Sequence, residues 1–224
     1  MIRNLILSGG YLHDFATTSP ILAEVLGEAG IESEIEEDFG VLASERMLEF
    51  DMLSLNCCRT KWDGHAAYRP EWSYEIPAAE RAGLLRFLAA GKGLLALHTC
   101  TLCFGGWPEY REIVGAWWEY GETTHPPIQE HAIRVHTDKH PIVDGVADFT
   151  ITDELYHRFR FAGPVDPLAE ADWEGETWPL LWAKSHGPAR VCYNALGHNE
   201  VAFAEPGFQK LLRRGARWVA GGPD

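Results

Sequence analysis

Gly91-Lys92-Gly93-Leu94-Leu95-Ala96-Leu97-His98-Thr99-Cys100-Thr101 is the stretch whose reading decides the fold. From Gly93 to Leu97 the run is apolar without alternation, and polar residues follow at once. A short apolar run bounded by turn signals reads as a strand buried on both faces, as in parallel sheets covered by helices. Strand, sharp turn and then the Gly105-Gly106 approach to a helix reproduce the layout of a nucleophile elbow, which aims one side chain out of the sheet edge. A reactive Ser or Cys is expected at that turn, and here the residue is His98.

Working outward, strand and helix signals alternate. Leu5-Ile6-Leu7 ends at Gly9-Gly10 and reads as a buried strand and turn. Ser19 reads as the cap of a helix with Pro20 in its first position. Ile21, Leu22, Val25, Leu26 and Ala29 carry that helix, and Gly30 closes it. Residues 33–37 and 51–55 read as two further strands, and Pro77 opens a second helix closed by Gly91. Residues 131–136, 180–183 and 190–196 read as later strands, and Phe208, Leu211, Leu212, Gly215, Trp218 and Val219 mark one face of a final helix. No repeat or linker interrupts the pattern. The expectation is one domain over residues 1–224, an α/β three-layer fold with a central, mostly parallel sheet and helices on both faces. Residues 62–65, Trp-Asp-Gly-His, start a long loop with Tyr68, Trp72 and Tyr74, which reads as a lid whose aromatic faces receive sugar rings.

Composition narrows the function. Nineteen Lys and Arg against 33 Asp and Glu leave a net charge of −14, which disfavours nucleic acid and anionic lipid as partners. No run approaches the roughly 20 apolar residues of a spanning helix, and residues 1–7 do not read as a signal peptide. Five Cys, two of them adjacent at Cys57-Cys58, fit reduced thiols and a cytoplasmic location better than a disulfide framework. Cys100 and Cys103 have a Cys-x-x-Cys spacing that suits redox or zinc chemistry, but no second pair completes a zinc site. Cys57, Cys58 and Cys192 read as buried, inert thiols.

Ligands in doubly wound sheets bind outside the carboxyl ends of the strands. That rule selects His13 after the first strand, Asn56 and Arg59 after the third, His98 after the fourth, and His198, Asn199 and Glu200 after a late one. Of the ten histidines, His65 falls in the expected lid loop, and His131, His136, His140, His157 and His186 read as structural or solvated.

Ordered blocks carry a resemblance. They are residues 91–98, Trp107-Pro108-Glu109-Tyr110 with Val114-Gly115, His125-Pro126-Pro127, and His140-Pro141-Ile142 with Gly145. Asp153-Glu154-Leu155-Tyr156, Trp182-Ala183-Lys184, residues 189–193, Leu196-Gly197-His198, Arg214-Gly215 and Arg217-Trp218 complete them. In this order they resemble the trehalose-utilisation (ThuA-like) family, whose fold is flavodoxin-like and similar to class I glutamine amidotransferases. The resemblance implies a place in carbohydrate utilisation. Amidotransferases carry a Cys where this chain has His98, so no glutaminase activity is expected.

The resulting expectation is an enzyme acting on trehalose or a related keto-sugar by proton transfer, as in isomerisation, epimerisation or elimination. His98 and Glu154 form its acid/base pair, and His198, oriented by Glu200, is a second base. His13, Asn56, Arg59, His125 and Tyr156 line the pocket. One alternative is a metal-dependent hydrolase or isomerase in which His13, His98, Glu154 and His198 hold zinc, manganese or nickel. The other is a sugar-binding or regulatory module without chemistry. Trp117-Trp118 with Tyr120 is the expected contact of a homodimer.

Overall fold

A computed structural model describes residues 1–61 and 69–221. Trp62, His65 and Tyr68 of the expected lid lie outside them. In chain order the elements are β1 (Ile2–Gly10), α1 (Phe15–Gly27), β2 (Ile31–Glu36), β3 (Met52–Cys58), α2 (Ala78–Ala89), β4 (Gly93–Leu97), α3 (Pro108–Val114) and β5 (Ala116–Trp117). Then come β6 (Gln129–Val135), β7 (Phe149–Asp153), β8 (Arg160–Phe161), β9 (Ala169–Trp173), β10 (Glu176–His186), β11 (Ala189–Asn194), α4 (Glu200–Phe203) and α5 (Pro206–Val219).

Among the described residues, nine strands form one sheet in the order β2-β1-β3-β4-β11-β10-β9-β6-β7, while β5 and β8 pair separately. From β2 to β11 every pairing is parallel. From β11 to β7 every pairing is antiparallel. The sheet is α/β as expected, and its parallel half carries an antiparallel extension. The two halves differ in burial as their hydrogen bonding requires. All of β3 and β4 is buried, whereas β6 and β7 alternate between buried and exposed positions.

Side-chain alternation assigns the two faces around the decisive strand. A Cβ on Gly93 would lie 2.1 Å from the Val219 carbonyl oxygen of α5, and Gly215 of α5 faces Cys192 and Leu95. On the opposite face Trp182 and Tyr193 pack ring to ring at 4.4 Å, and Trp182 Nε1 donates to the Val114 carbonyl at the end of α3. Helices therefore cover both faces of β4 and β11.

One helix start differs from the expectation. Asp14, not Ser19, caps α1, its carboxylate accepting the Thr17 N–H at 3.1 Å. Pro20 lies inside the helix with its ring exposed. Ser19 is buried and its hydroxyl meets Ser8 Oγ at 2.7 Å, so it joins α1 to the sheet. No helix among the described residues is long and apolar enough to cross a membrane.

Candidate functional site

The elbow conformation is present: His98 has a φ of +41°, in the left-handed region that non-glycine residues adopt under constraint. Two buried hydrogen bonds hold it there. Tyr193 donates its hydroxyl to the His98 carbonyl at 2.7 Å, and the ring Nδ1 lies 2.7 Å from the Ala195 carbonyl oxygen. A carbonyl oxygen only accepts, so Nδ1 carries the proton. The lone pair of the neutral ring is then on Nε2, which points outward from the sheet edge.

Around that Nε2 the structure gathers His13, Glu154 and His198. His13 Nε2 lies 3.1 Å from it, and Glu154 Oε2 lies 3.4 Å from it. Glu154 Oε2 is also 3.9 Å from His13 Nε2 and 3.0 Å from His198 Nδ1. His198 Nδ1 is nevertheless misaligned for a hydrogen bond and is a buried nitrogen without a hydrogen-bond partner. One donor atom from each of the four residues falls within 4.8 Å of all the others. Metal–nitrogen bonds of about 2.0–2.1 Å in a tetrahedron place neighbouring donors about 3.3–3.4 Å apart. The donor set and its spacing fit a divalent transition ion, with the His98–Ala195 bond as the outer contact that orients a ligating imidazole.

Electrostatics keep two of the three imidazoles in the neutral form that ligation requires and bias the third toward its charged form. Burial is the main cause that lowers His98, to about 4, and it also lowers His13, so both rings are kept neutral. Burial pushes the Glu154 carboxyl up, but the close approach of three imidazoles, His13 foremost, outweighs it and holds the group well below the usual range. Burial lowers His198, and the Glu154 carboxylate outweighs it, leaving that ring raised. Side-chain exposure runs from 2% at His98 through 6% at His13, 11% at Glu154 and 19% at His198 to 35% at His125. The cluster therefore opens toward His198 and His125.

Other expected site residues divide. His125 sits at the rim, with Nδ1 2.9 Å from the Pro126 carbonyl and 3.5 Å from Glu154 Oε1. Tyr156 stacks on the His98 ring at 4.1 Å. Asn56 is not in the pocket: its amide donates to Thr18 Oγ1 and Ser19 Oγ, so it is consumed beneath α1. Glu200 is exposed in the first turn of α4, and the carboxylate that reaches His198 is Glu154's. Arg59 lies just past β3, its guanidinium over the rings of Phe39 and Tyr74. Trp72 stacks on Tyr11 at 4.8 Å. A separate cavity of about 330 Å³ is lined by Trp118, which packs on Tyr156, and by Thr101, Cys103, Tyr110, Arg111 and Trp117.

Cys100 and Cys103 converge with Cys57, which the sequence reading set apart from them. Cys57 and Cys103 Sγ are 3.8 Å apart, and both Cys100 and Cys103 donate to backbone carbonyls. These contacts bury the three sulfurs among the strand-end carbonyls, away from solvent.

Asp153 has a role the sequence reading missed. Its fully buried carboxylate accepts from Gly197 N–H at 2.7 Å, His198 N–H at 3.0 Å and Glu154 N–H at 2.9 Å. Burial pushes this carboxyl up to about 6 although the three N–H groups oppose it. It ties the end of β7, the last strand of the sheet, to the turn after β11, and so brings Glu154 to the histidines. The acidic Asp153-Glu154 pair was visible in the sequence, but which of the two turns inward depends on the strand ends it joins.

A family model named ThuA, described as trehalose utilisation, matches residues 3–219. A ThuA-like protein from Parabacteroides merdae is 22% identical and superposes with a TM-score of 0.79, covering 99% of this chain and 91% of that one. A ThuA-like protein from Bacteroides uniformis is 17% identical, with a TM-score of 0.70 and coverage of 97% and 91%. A cytoplasmic protein from Salmonella typhimurium is 10% identical, with a TM-score of 0.65 and coverage of 98% and 99%. At these identities the likeness bears on the fold. No protein of curated function matches the chain.

Proposed function

The chain belongs to the ThuA trehalose-utilisation family, and from that premise we propose that it is a metal-dependent enzyme acting on a sugar or keto-sugar. The observation that carries the reading is the convergence of three imidazoles and one carboxylate, one donor atom each, within 4.8 Å at the carboxyl edge of the sheet. His13, His98, His198 and Glu154 would hold a divalent zinc, manganese or nickel ion. Such an ion supplies Lewis-acid polarisation of a carbonyl or hydroxyl oxygen.

The remaining residues then take narrower roles than an acid/base pair of His98 and Glu154 allows. His98 is a poor base at neutral pH, being buried and lowered to about 4. His125, half-buried at the rim, is the group placed to move a proton on the substrate. Trp118, partly exposed, offers an aromatic face to a sugar ring while buried Tyr156 backs the His98 ring, and the cavity beside Trp118 has room for the rest of the substrate. The reaction class is proton transfer next to a polarised carbonyl: isomerisation, epimerisation or elimination.

The test is turnover of a panel of sugars and keto-sugars by the protein as purified, after chelation, and after reloading with each ion. Turnover that falls on chelation and returns with one ion is expected. Undiminished turnover by demonstrably metal-free protein would overturn the proposal.

A further inference from the structure

Arg59 differs from most arginines of this acidic chain. Arg3, Arg46, Arg134, Arg158 and Arg160 each meet a carboxylate. Among the described residues the Arg59 guanidinium meets none, and its Nε is a buried nitrogen without a hydrogen-bond partner. Aromatic rings support it instead: its central carbon is 4.8 Å from the Phe39 ring centre and 5.7 Å from that of Tyr74. These contacts hold the plane of the group without using its N–H donors.

Gly9, at the end of β1, has a φ of +102°, and among the described residues a Cβ built on it would meet only Arg59 Nη2, at 3.9 Å. The β1 end leads directly to the metal-ligand set: His13 is four residue steps beyond Gly9, a reach of at most about 14 Å when fully extended. Leu12, with a φ of +73°, turns that segment before His13. The guanidinium and the reacting centre therefore follow the carboxyl ends of neighbouring strands, β3 and β1, along one edge of the sheet.

Resting on the reading of the site as a sugar-processing centre, we propose that the substrate carries an anionic oxygen group, a carboxylate or a phosphate, which Arg59 receives beside Gly9. A forked guanidinium pairs two parallel N–H groups with two such oxygens, and a sugar acid and a sugar phosphate share that chemistry. In a chain of net charge −14, a retained cation without a carboxylate partner is what an anionic ligand requires to approach. Neutral sugars would leave the guanidinium half-buried and unpaired, which sets the direction of selectivity.

The experiment is calorimetric titration of the metal-analysed protein with gluconate, glucose 6-phosphate and glucose, repeated with Arg59→Gln and Arg59→Lys. At least one of the two anions should bind about tenfold or more tightly than glucose. Gluconate alone would assign a sugar acid, and the phosphate ester alone a sugar phosphate. Arg59→Gln should remove the preference, and Arg59→Lys should keep only part of it. Metal content unchanged in Arg59→Gln shows that the fold and the His/Glu cluster survive. Equal binding of all three compounds, no binding of either anion, or undiminished anion binding by Arg59→Gln would each overturn the inference. Arg59-dependent anion binding by a protein that takes up no metal would uphold it while removing the metal-centred reading.

Discussion

Asp153 is where the site is most exposed to a single change. Its carboxylate collects three backbone N–H groups from two separated segments, and it is fully buried. Each buried donor left without a partner costs about 1–3 kcal/mol. Asp153→Ala is therefore expected to lower unfolding free energy by about 3 kcal/mol or more, read from urea denaturation. A loss below about 1 kcal/mol would show that the turn carrying His198 does not depend on this residue. The contrast with Glu200 explains why residue types alone were insufficient. Both Glu154 and Glu200 stand near a candidate histidine, one in space and the other in sequence. A late strand followed by His-Asn-Glu favours the neighbour in sequence, whereas the fold presents Glu154 from β7. Asn56 differs for a related reason: β3 continues through it to Cys58 instead of ending before it, and the hydroxyls of Thr18 and Ser19 on α1 claim its amide.

At the scale of elements, β4 and the turn after it were the most legible part of the chain. Five apolar residues in sequence, Gly93 to Leu97, can be satisfied only by burial on both faces, and the polar residue that follows must then emerge at the edge. Gly93 itself is required by packing: α5 crosses so closely that a Cβ would lie 2.1 Å from the Val219 carbonyl. Gly93→Ala must displace α5 or the strand, and overpacking of this kind costs about 1–3 kcal/mol. A lower midpoint of thermal unfolding is the expected reading, and an unchanged midpoint would contradict the close crossing. The antiparallel elements were harder to read. Residues 149–153 and 169–173 alternate over only five positions with charged residues among them, so a turn and a strand compete on equal terms until a partner strand is supplied. The start of α1 was misplaced because Ser19-Pro20 imitates a cap, while Asp14, adjacent to His13, performs it.

For the whole molecule, the parallel half of the sheet provides the strand ends and the antiparallel half returns to close the site over them. That division explains why His13, His98 and His198 could be found from the rule for strand ends, whereas Glu154 needed its family block as well. It also separates the roles of the titratable groups: the buried pair His13 and His98 with Glu154 form the floor, while His198 and His125 face the opening. The histidine excess of the composition thus resolves into a small cluster with a shared geometry, and the acidic net charge makes the unpaired Arg59 conspicuous.

The central claim is that His13, His98, His198 and Glu154 together hold one ion. It is tested most directly by elemental analysis of the purified protein, as isolated and after reloading with zinc, manganese or nickel, alongside His98→Ala and Glu154→Gln. About one ion per chain is predicted for the unaltered protein, with the content falling to near zero in His98→Ala and markedly reduced in Glu154→Gln. An unaltered protein that takes up none of these ions, or variants that retain a full complement, would contradict the account.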